Sequence, residues 1–207
     1  MAHKINIDTK LLHPWLQYKL DLLLKELAEK KMWIIVTEGY RTVEQQNEKF
    51  KKGYSKVKGN DYGSQHQWYI AIDIAMDHDV DKDGKITDDT WNVKGFQEVA
   101  KIAKKLGFGW GGDWKSFVDR PHLYLHKWGS TPTKLKQKYG TPAKFKASFR
   151  RKVRKPAVMR EGKLLTSKKL MTIPKGKVID VLWYSKLGYA KVKYADKVGF
   201  IQRTNFS

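Results

Sequence analysis

The chain has 207 residues, 41% of them hydrophobic, enough to bury a sizeable core and too many for a disordered chain. It has no cysteine, which excludes disulfides and thiolate metal sites, and no run of about eighteen apolar residues, which excludes a transmembrane helix and membrane insertion by one. The formal net charge is +21 at pH 7 and is uneven: residues 1–149 carry 26 lysines and arginines against 18 acidic residues, and residues 150–207 carry 16 against 3. A surface this basic calls for a polyanionic partner, and charge alone does not choose nucleic acid over another polymer. The first residues, Met1 to Asp8, contain no apolar core of a signal peptide, so synthesis in the cytoplasm is expected.

Residues Leu11 to Met32 read as an amphipathic helix. Leu12, Trp15, Leu16, Leu20, Leu23, Leu24 and Leu27 recur near helical spacing, and Pro14 suits the first turn. Trp33 to Thr37 reads as a buried strand. Glu38-Gly39-Tyr40-Arg41-Thr42 joins it to a polar helix, Val43 to Lys52. Arg41 thus stands where a strand ends and a helix begins. Taken alone, it is either a functional guanidinium or a surface arginine paired with Glu38 or Glu44. Gln45 is expected to line the same cleft as Arg41. The Lys- and Gly-rich stretch Gly53 to Gly63 suits one wall of a groove.

The next stretch, Ser64 to Asp73, places a histidine and an aspartate seven residues apart. Trp68 to Ile74 reads as a strand with Ile70, Ile72 and Ile74 on one face and Tyr69, Ala71 and Asp73 on the other. A carboxylate in such a run is costly to bury unless it is paired or bound to a cation. His66 offers a neutral nitrogen and Asp73 a charged oxygen. Zinc takes such a mixture, and a catalytic zinc needs three protein ligands and one open position. His122, at the head of the apolar run Pro121 to Lys127, is the candidate third ligand. Asp119, three residues earlier, is placed to stand beside the metal without ligating it. A carboxylate there takes a proton from water and passes it to a leaving amine. Ser64 is a candidate to bond the substrate or orient His66, or is a turn hydroxyl.

Asp79-Val80-Asp81-Lys82-Asp83-Gly84-Lys85-Ile86-Thr87-Asp88-Asp89-Thr90 follows the pattern of an EF-hand calcium loop. Asp79, Asp81 and Asp83 fill the first three ligand positions, Lys85 would ligate through its carbonyl, and Thr90 stands where a bidentate Glu is expected, with Asp88 or Asp89 as substitutes. A calcium ion that orders this loop is expected. Trp91 to Leu106 then reads as a helix closed by Gly107, followed by the aromatic-glycine segment Phe108 to Trp114.

Ser64-x-His66, Ala71-x-Asp73 and Asp119-x-Pro121-His122 occur with Gly39-Tyr40-Arg41-Thr42 ahead of them and Gly-Trp-Gly-Gly-Asp-Trp-Lys-Ser-Phe at 109–117. Over residues 8 to 130 this order resembles the zinc D,D-peptidase and L-alanyl-D-glutamate peptidase superfamily, most of all its phage endolysin and bacterial cell-wall branch. The family motif has Gly where this chain has Tyr69. The resemblance implies an α+β, Hedgehog-like catalytic domain with zinc held by His66, Asp73 and His122. It implies Asp119 as general base and Arg41 as the group that binds the scissile carbonyl oxygen, where a fixed guanidinium stabilises an oxyanion.

Ser130 to Gly140 reads as a short helix, and Thr141 to Lys155 as a basic linker. From Pro156 the pattern changes to short alternating strands, Val158–Arg160, 170–176, Val178–Leu182, Tyr189–Tyr194 and Lys197–Ile201, the signature of a small all-β barrel. The closing strands resemble the bacterial SH3 domain, which implies wall binding. The expected organisation is a zinc peptidase domain at 1–140, a linker at 141–155 and an SH3-like domain at 156–207. The resemblance thus implies an endolysin that hydrolyses the L-Ala–D-Glu bond of peptidoglycan stem peptides; with the acidic loop and the basic charge, the expectation is a monomer modulated by calcium and held to an anionic wall polymer, with no nucleic-acid partner. The rivals are a D,D-carboxypeptidase on the same zinc centre, a non-enzymatic wall-binding protein whose structural zinc is closed by a fourth ligand such as His126, and a nucleic-acid binder, which the charge alone favours and which leaves the zinc motif unexplained.

Overall fold

The computed structural model describes residues 2–185 and 188–206. The chain divides into two compact units, Met1–Leu12 with Leu16–Ala143, and His13–Trp15 with Lys144–Ser207. Among the described residues no helix is long and apolar enough to cross a membrane.

The first unit is α+β. Its elements are β1 (Lys4–Ile5), α1 (Pro14–Glu29), β2 (Ile34–Glu38), α2 (Val43–Lys51), β3 (Ala71–Met76), α3 (Val93–Lys105), β4 (Phe108–Trp110), β5 (His122–Leu125) and α4 (Thr133–Tyr139). The strands form one sheet in the order β1-β2-β3-β5-β4, with β1 parallel to β2 and every other pair antiparallel. Leu16, Leu20, Leu23 and Leu27 make one buried stripe on α1. Each such leucine contributes about 2 kcal/mol on burial. The helix starts at Pro14 rather than Leu11 because a proline ring drives the residue before it out of the helical region. Asp8 instead caps a separate 3-10 turn, Thr9–Leu11.

The strand expected from Trp68 begins later, at Ala71. Gln65–Trp68 forms a 3-10 turn, and Tyr69 follows it in the left-handed region at φ 63°. That backbone explains the glycine of the family motif. A side chain there costs about 1–2 kcal/mol. Here Tyr69 stacks on Tyr40, ring centroids 4.4 Å apart and 12° from parallel. Such a pair contributes about 0.5–1.5 kcal/mol, which offsets most of the strain.

The second unit holds a six-stranded antiparallel sheet of β6 (Arg150–Lys152), β7 (Ala157–Arg160), β8 (Lys169–Ile173), β9 (Val178–Tyr184), β10 (Tyr189–Tyr194) and β11 (Lys197–Gln202). The order is β6-β9-β10-β11-β7-β8. The expected barrel is not closed: the outer strands β6 and β8 do not pair with each other among the described residues. The core is small and aliphatic, with Val153, Met159, Ile173, Ile179, Val181, Val192 and Ile201 at its centre. The stretch expected as a linker carries a short helix, Pro142–Lys146, and the strand β6, which pairs with β9. An edge strand tolerates charge, and the basic composition of Arg150-Arg151-Lys152 hid its pairing. The span expected as the C-terminal domain includes residues 186, 187 and 207, which lie outside the described residues.

Candidate active site and metal centre

Sheet register assembles the site. On β3, Asp73 faces His122 of β5 on one side and Glu38 of β2 on the other, after a bulge between Val36 and Glu38. Residues directly opposite on antiparallel strands share a face, so three residues distant in sequence form one row. The 3-10 turn before β3 delivers His66, and the Arg41 N–H donates to the His66 carbonyl at 3.4 Å.

His66 Nε2, His122 Nδ1 and Asp73 Oδ1 converge. The separations are 3.2 Å between the histidines, 3.2 Å from His66 to Asp73 and 3.0 Å from His122 to Asp73. Both histidines are buried. The outer nitrogen of each is committed: His66 Nδ1–H donates to the Gly39 carbonyl at 2.6 Å and His122 Nε2–H donates to Gln65 Oε1 at 2.8 Å. In the neutral rings the inner nitrogens then carry lone pairs, not protons. Two lone pairs and a carboxylate oxygen facing one point repel each other unless a cation lies between them. Zinc bonds of about 2.0–2.2 Å at tetrahedral angles place ligand atoms about 3.3 Å apart. The observed triangle and its N,N,O donor set fit that ion. Burial alone would raise the Asp73 carboxyl, but its interactions with His66 and His122 outweigh it and hold the group well below the usual range.

Arg41 is only 7% exposed, so it is not the surface arginine of the alternative expectation, although it does pair with Glu38. Its Nε–H and one NH2 proton bind the two Glu38 oxygens at 2.9 and 2.8 Å, and NH1 donates to Gln46 Oε1 at 2.7 Å. Three of its five guanidinium N–H groups are so engaged, and NH2 also lies 3.9 Å from Asp73. Burial tends to raise Glu38, and the Arg41 bonds reverse the sign, keeping it ionised.

Asp119 sits on the rim. Its N–H donates to the Gly111 carbonyl at 3.0 Å, and the His122 N–H donates to the Asp119 carbonyl at 3.3 Å. Gly111 is required there: a Cβ would lie 2.3 Å from the Asp119 carbonyl oxygen. Burial, reinforced by the Asp73 charge, pushes the Asp119 carboxyl up, against the pull of His122, His66 and Arg41. These groups open on a cleft of about 660 Å³. Lys49, Tyr54, Ser55, Lys56, Val57 and Ser64 line one part of it, Trp114 to Phe117 another, and Ser130 and Thr131 are also at its surface.

Ser64 lines the cleft and caps no backbone N–H. Gln45 is a correction: it is exposed and outside the cleft, because its side chain accepts from the Thr42 N–H at 2.8 Å and closes a capping box on α2. The buried neighbour Gln46 bonds Arg41 instead. Sequence reasoning named Glu38 only as the partner of a surface Arg41, and missed Gln46 and Gln65. The Arg41–Gln46 spacing and the position of Gln65 beside His66 were the available signals. Asp79, Asp81 and Asp83 do cluster. Asp89 is outside that cluster: its buried carboxylate accepts from the Val80 and Asp81 N–H groups. His126 opens an exposed 3-10 turn and is outside the His-Asp-His cluster.

A family model described as D-alanyl-D-alanine carboxypeptidase, of peptidase family M15, matches residues 58–125. A peptidoglycan L-alanyl-D-glutamate endopeptidase of Bacillus subtilis is 42% identical over 126 residues, 55% of this chain and 73% of the relative. The chain belongs to the L-alanyl-D-glutamate endopeptidases of family M15. Another of these endopeptidases, an L-alanyl-D-glutamate peptidase of a Listeria phage, is 39% identical over 97 residues, 45% of this chain and 30% of the phage protein. Among solved structures, a Serratia marcescens L-Ala D-Glu endopeptidase aligns with TM-score 0.46 at 23% identity, over 56% of this chain and 82% of that one. A vancomycin-resistance D,D-pentapeptidase in complex with Zn(II) aligns with TM-score 0.41 at 22% identity, over 55% of this chain and 72% of that one.

Proposed function

We propose that this M15 endopeptidase is a zinc enzyme that hydrolyses the L-Ala–D-Glu bond of the peptidoglycan stem peptide. The observation that carries the reading is the buried triangle of His66 Nε2, His122 Nδ1 and Asp73 Oδ1, with Asp119 and Arg41 on the same cleft. Zinc bound by these three residues supplies Lewis-acid polarisation of the scissile carbonyl and an acidified water. Asp119 takes the proton from the attacking water and returns it to the leaving amine of D-Glu. Arg41 turns its two spare N–H groups toward the oxygen on which negative charge develops, and Glu38 and Gln46 hold it there so that little reorganisation is needed.

The calcium and wall-binding roles belong to the same proposal. The loop 79–90 takes one Ca²⁺ through Asp79, Asp81, Asp83 and the Lys85 carbonyl, and the ion orders the loop and tunes activity. The C-terminal unit is an SH3-like wall-binding module, and the 16 basic residues against 3 acidic ones in 150–207 support attraction to an anionic wall polymer. Raised local concentration then compensates for weak affinity at the cleft.

The test is digestion of purified peptidoglycan by wild type and by Asp119→Ala, with mass analysis of the products. New N-terminal D-Glu ends from wild type alone are expected. Released D-Ala would instead support the D,D-carboxypeptidase reading. No cleavage by zinc-loaded wild type would overturn the proposal in favour of a wall-binding protein.

A further inference from the structure

Gln65 is 4% exposed and stands between two metal-ligand histidines, one beside it in sequence and one across the sheet. Its amide orientation is not free. Nε2 donates to the Gly129 carbonyl at 3.1 Å, which turns Oε1 toward His122 Nε2 at 2.8 Å. The backbone is held as well: the Ile70 N–H donates to the Gln65 carbonyl at 3.3 Å. Only an acceptor at this point leaves His122 with its proton on Nε2 and its lone pair on Nδ1, toward Asp73 and His66.

We infer that Gln65 is a positioning residue that fixes the tautomer and ring orientation of His122 for metal binding, and ties that histidine to the end of the substrate cleft. One 3-10 turn therefore serves two ligands, presenting His66 directly and setting His122 through the amide next to it. The tie runs through Gly129, whose neighbours Ser130 and Thr131 line the cleft. A hydrogen-bond acceptor on the outer nitrogen of a ligating histidine raises its basicity, and its loss typically weakens metal binding about 10- to 100-fold. The inference rests on the zinc reading above.

The experiment measures zinc affinity of the full chain by competition with a chromophoric chelator, for wild type, Gln65→Leu and Gln65→Glu, with metal content and thermal unfolding of each metal-free protein alongside. Gln65→Leu is expected to weaken zinc about 10- to 100-fold. Gln65→Glu keeps an acceptor facing Nε2–H while losing the donor to Gly129, and is expected to stay within about threefold of wild type, as carboxylate–histidine–metal pairs do. Zinc binding by Gln65→Leu as tight as wild type would overturn the inference. So would equal weakening in both variants, since packing and not the acceptor would then be responsible. If Gln65→Leu does not fold, Gln65→Met, which keeps the chain length without an acceptor, carries the same expectation. Wild type that binds no zinc would overturn the proposed function, and this inference with it.

Discussion

The two carboxylate-bearing clusters of the first unit each bring three ligand atoms together, and the rest of the fold treats them differently. At His66, Asp73 and His122 the ligand atoms come from a turn and two strands, the two rings are buried, and the outer nitrogen of each ring is held by a carbonyl-type acceptor. At Asp79, Asp81 and Asp83 they come from five consecutive positions, and the loop satisfies its own carboxylates. Asp79 accepts from the Lys82 and Gly84 N–H groups at 2.6 and 2.9 Å, Asp81 from Asp83 at 3.2 Å, and Asp83 from Lys85 at 2.8 Å. The first cluster is frustrated without a cation, whereas the second has an alternative. A metal therefore matters far more to the buried site than to the exposed loop.

Breaking the buried cluster is the largest expected effect. His66→Ala or His122→Ala should abolish zinc binding and cleavage together, measured as metal content and peptidoglycan turnover. Asp119→Ala should keep the zinc and lower kcat about 10²- to 10⁴-fold. Retained activity in that variant would remove Asp119 as the base.

Arg41→Lys comes next. A lysine offers one ammonium in place of a guanidinium already pinned by Glu38 and Gln46, so kcat is expected to fall about 10²- to 10³-fold with zinc content unchanged. A change in KM alone would assign Arg41 to substrate binding.

The pH dependence sharpens the account of the rim. Asp119 works ionised, and burial, the largest contribution, raises its pKa. The acid limb of kcat/KM is therefore expected above the ordinary aspartate value of about 3.9, with activity falling about tenfold per pH unit below it. An acid limb at or below that value would contradict the raised carboxyl.

The smallest effect is expected at the exposed loop. Saturating calcium, at about 100 times its dissociation constant, should add about 2.7 kcal/mol to stability. Asp81→Asn with Asp83→Asn should remove that shift in a thermal melt while leaving zinc content intact. A calcium shift that survives the double substitution would place the ion elsewhere.

Much of the catalytic unit was legible in the sequence because its ligands have distinctive chemistry. An aspartate inside an apolar run is costly to bury without a cation or a partner, and a histidine on either side of it in the chain supplies the nitrogen donors that such a cation takes. The amphipathic stripe of α1 follows from leucine spacing alone. Boundaries failed where one residue redirected the backbone, as Pro14 does at the start of α1 and Tyr69 does ahead of β3. Gln45 was misplaced because two adjacent glutamines on α2 look alike in sequence. Helix phase sends one to the capping box and the other inward to Arg41. In the second unit, alternation gave the strands from Ala157 onward, but it could not show that β6 joins the sheet or that its outer strands remain unpaired with each other.

The amino-acid order by itself determined the donor types, their succession along the chain and the uneven charge, since each depends only on which residues are present. Tertiary structure alone decided which nitrogen of each histidine faces Asp73, which glutamine holds Arg41 and which holds His122. Those choices depend on carbonyls and amides brought close by strand register and by the turn at Gln65–Trp68, and no local pattern in the chain encodes a hydrogen bond across 57 residues.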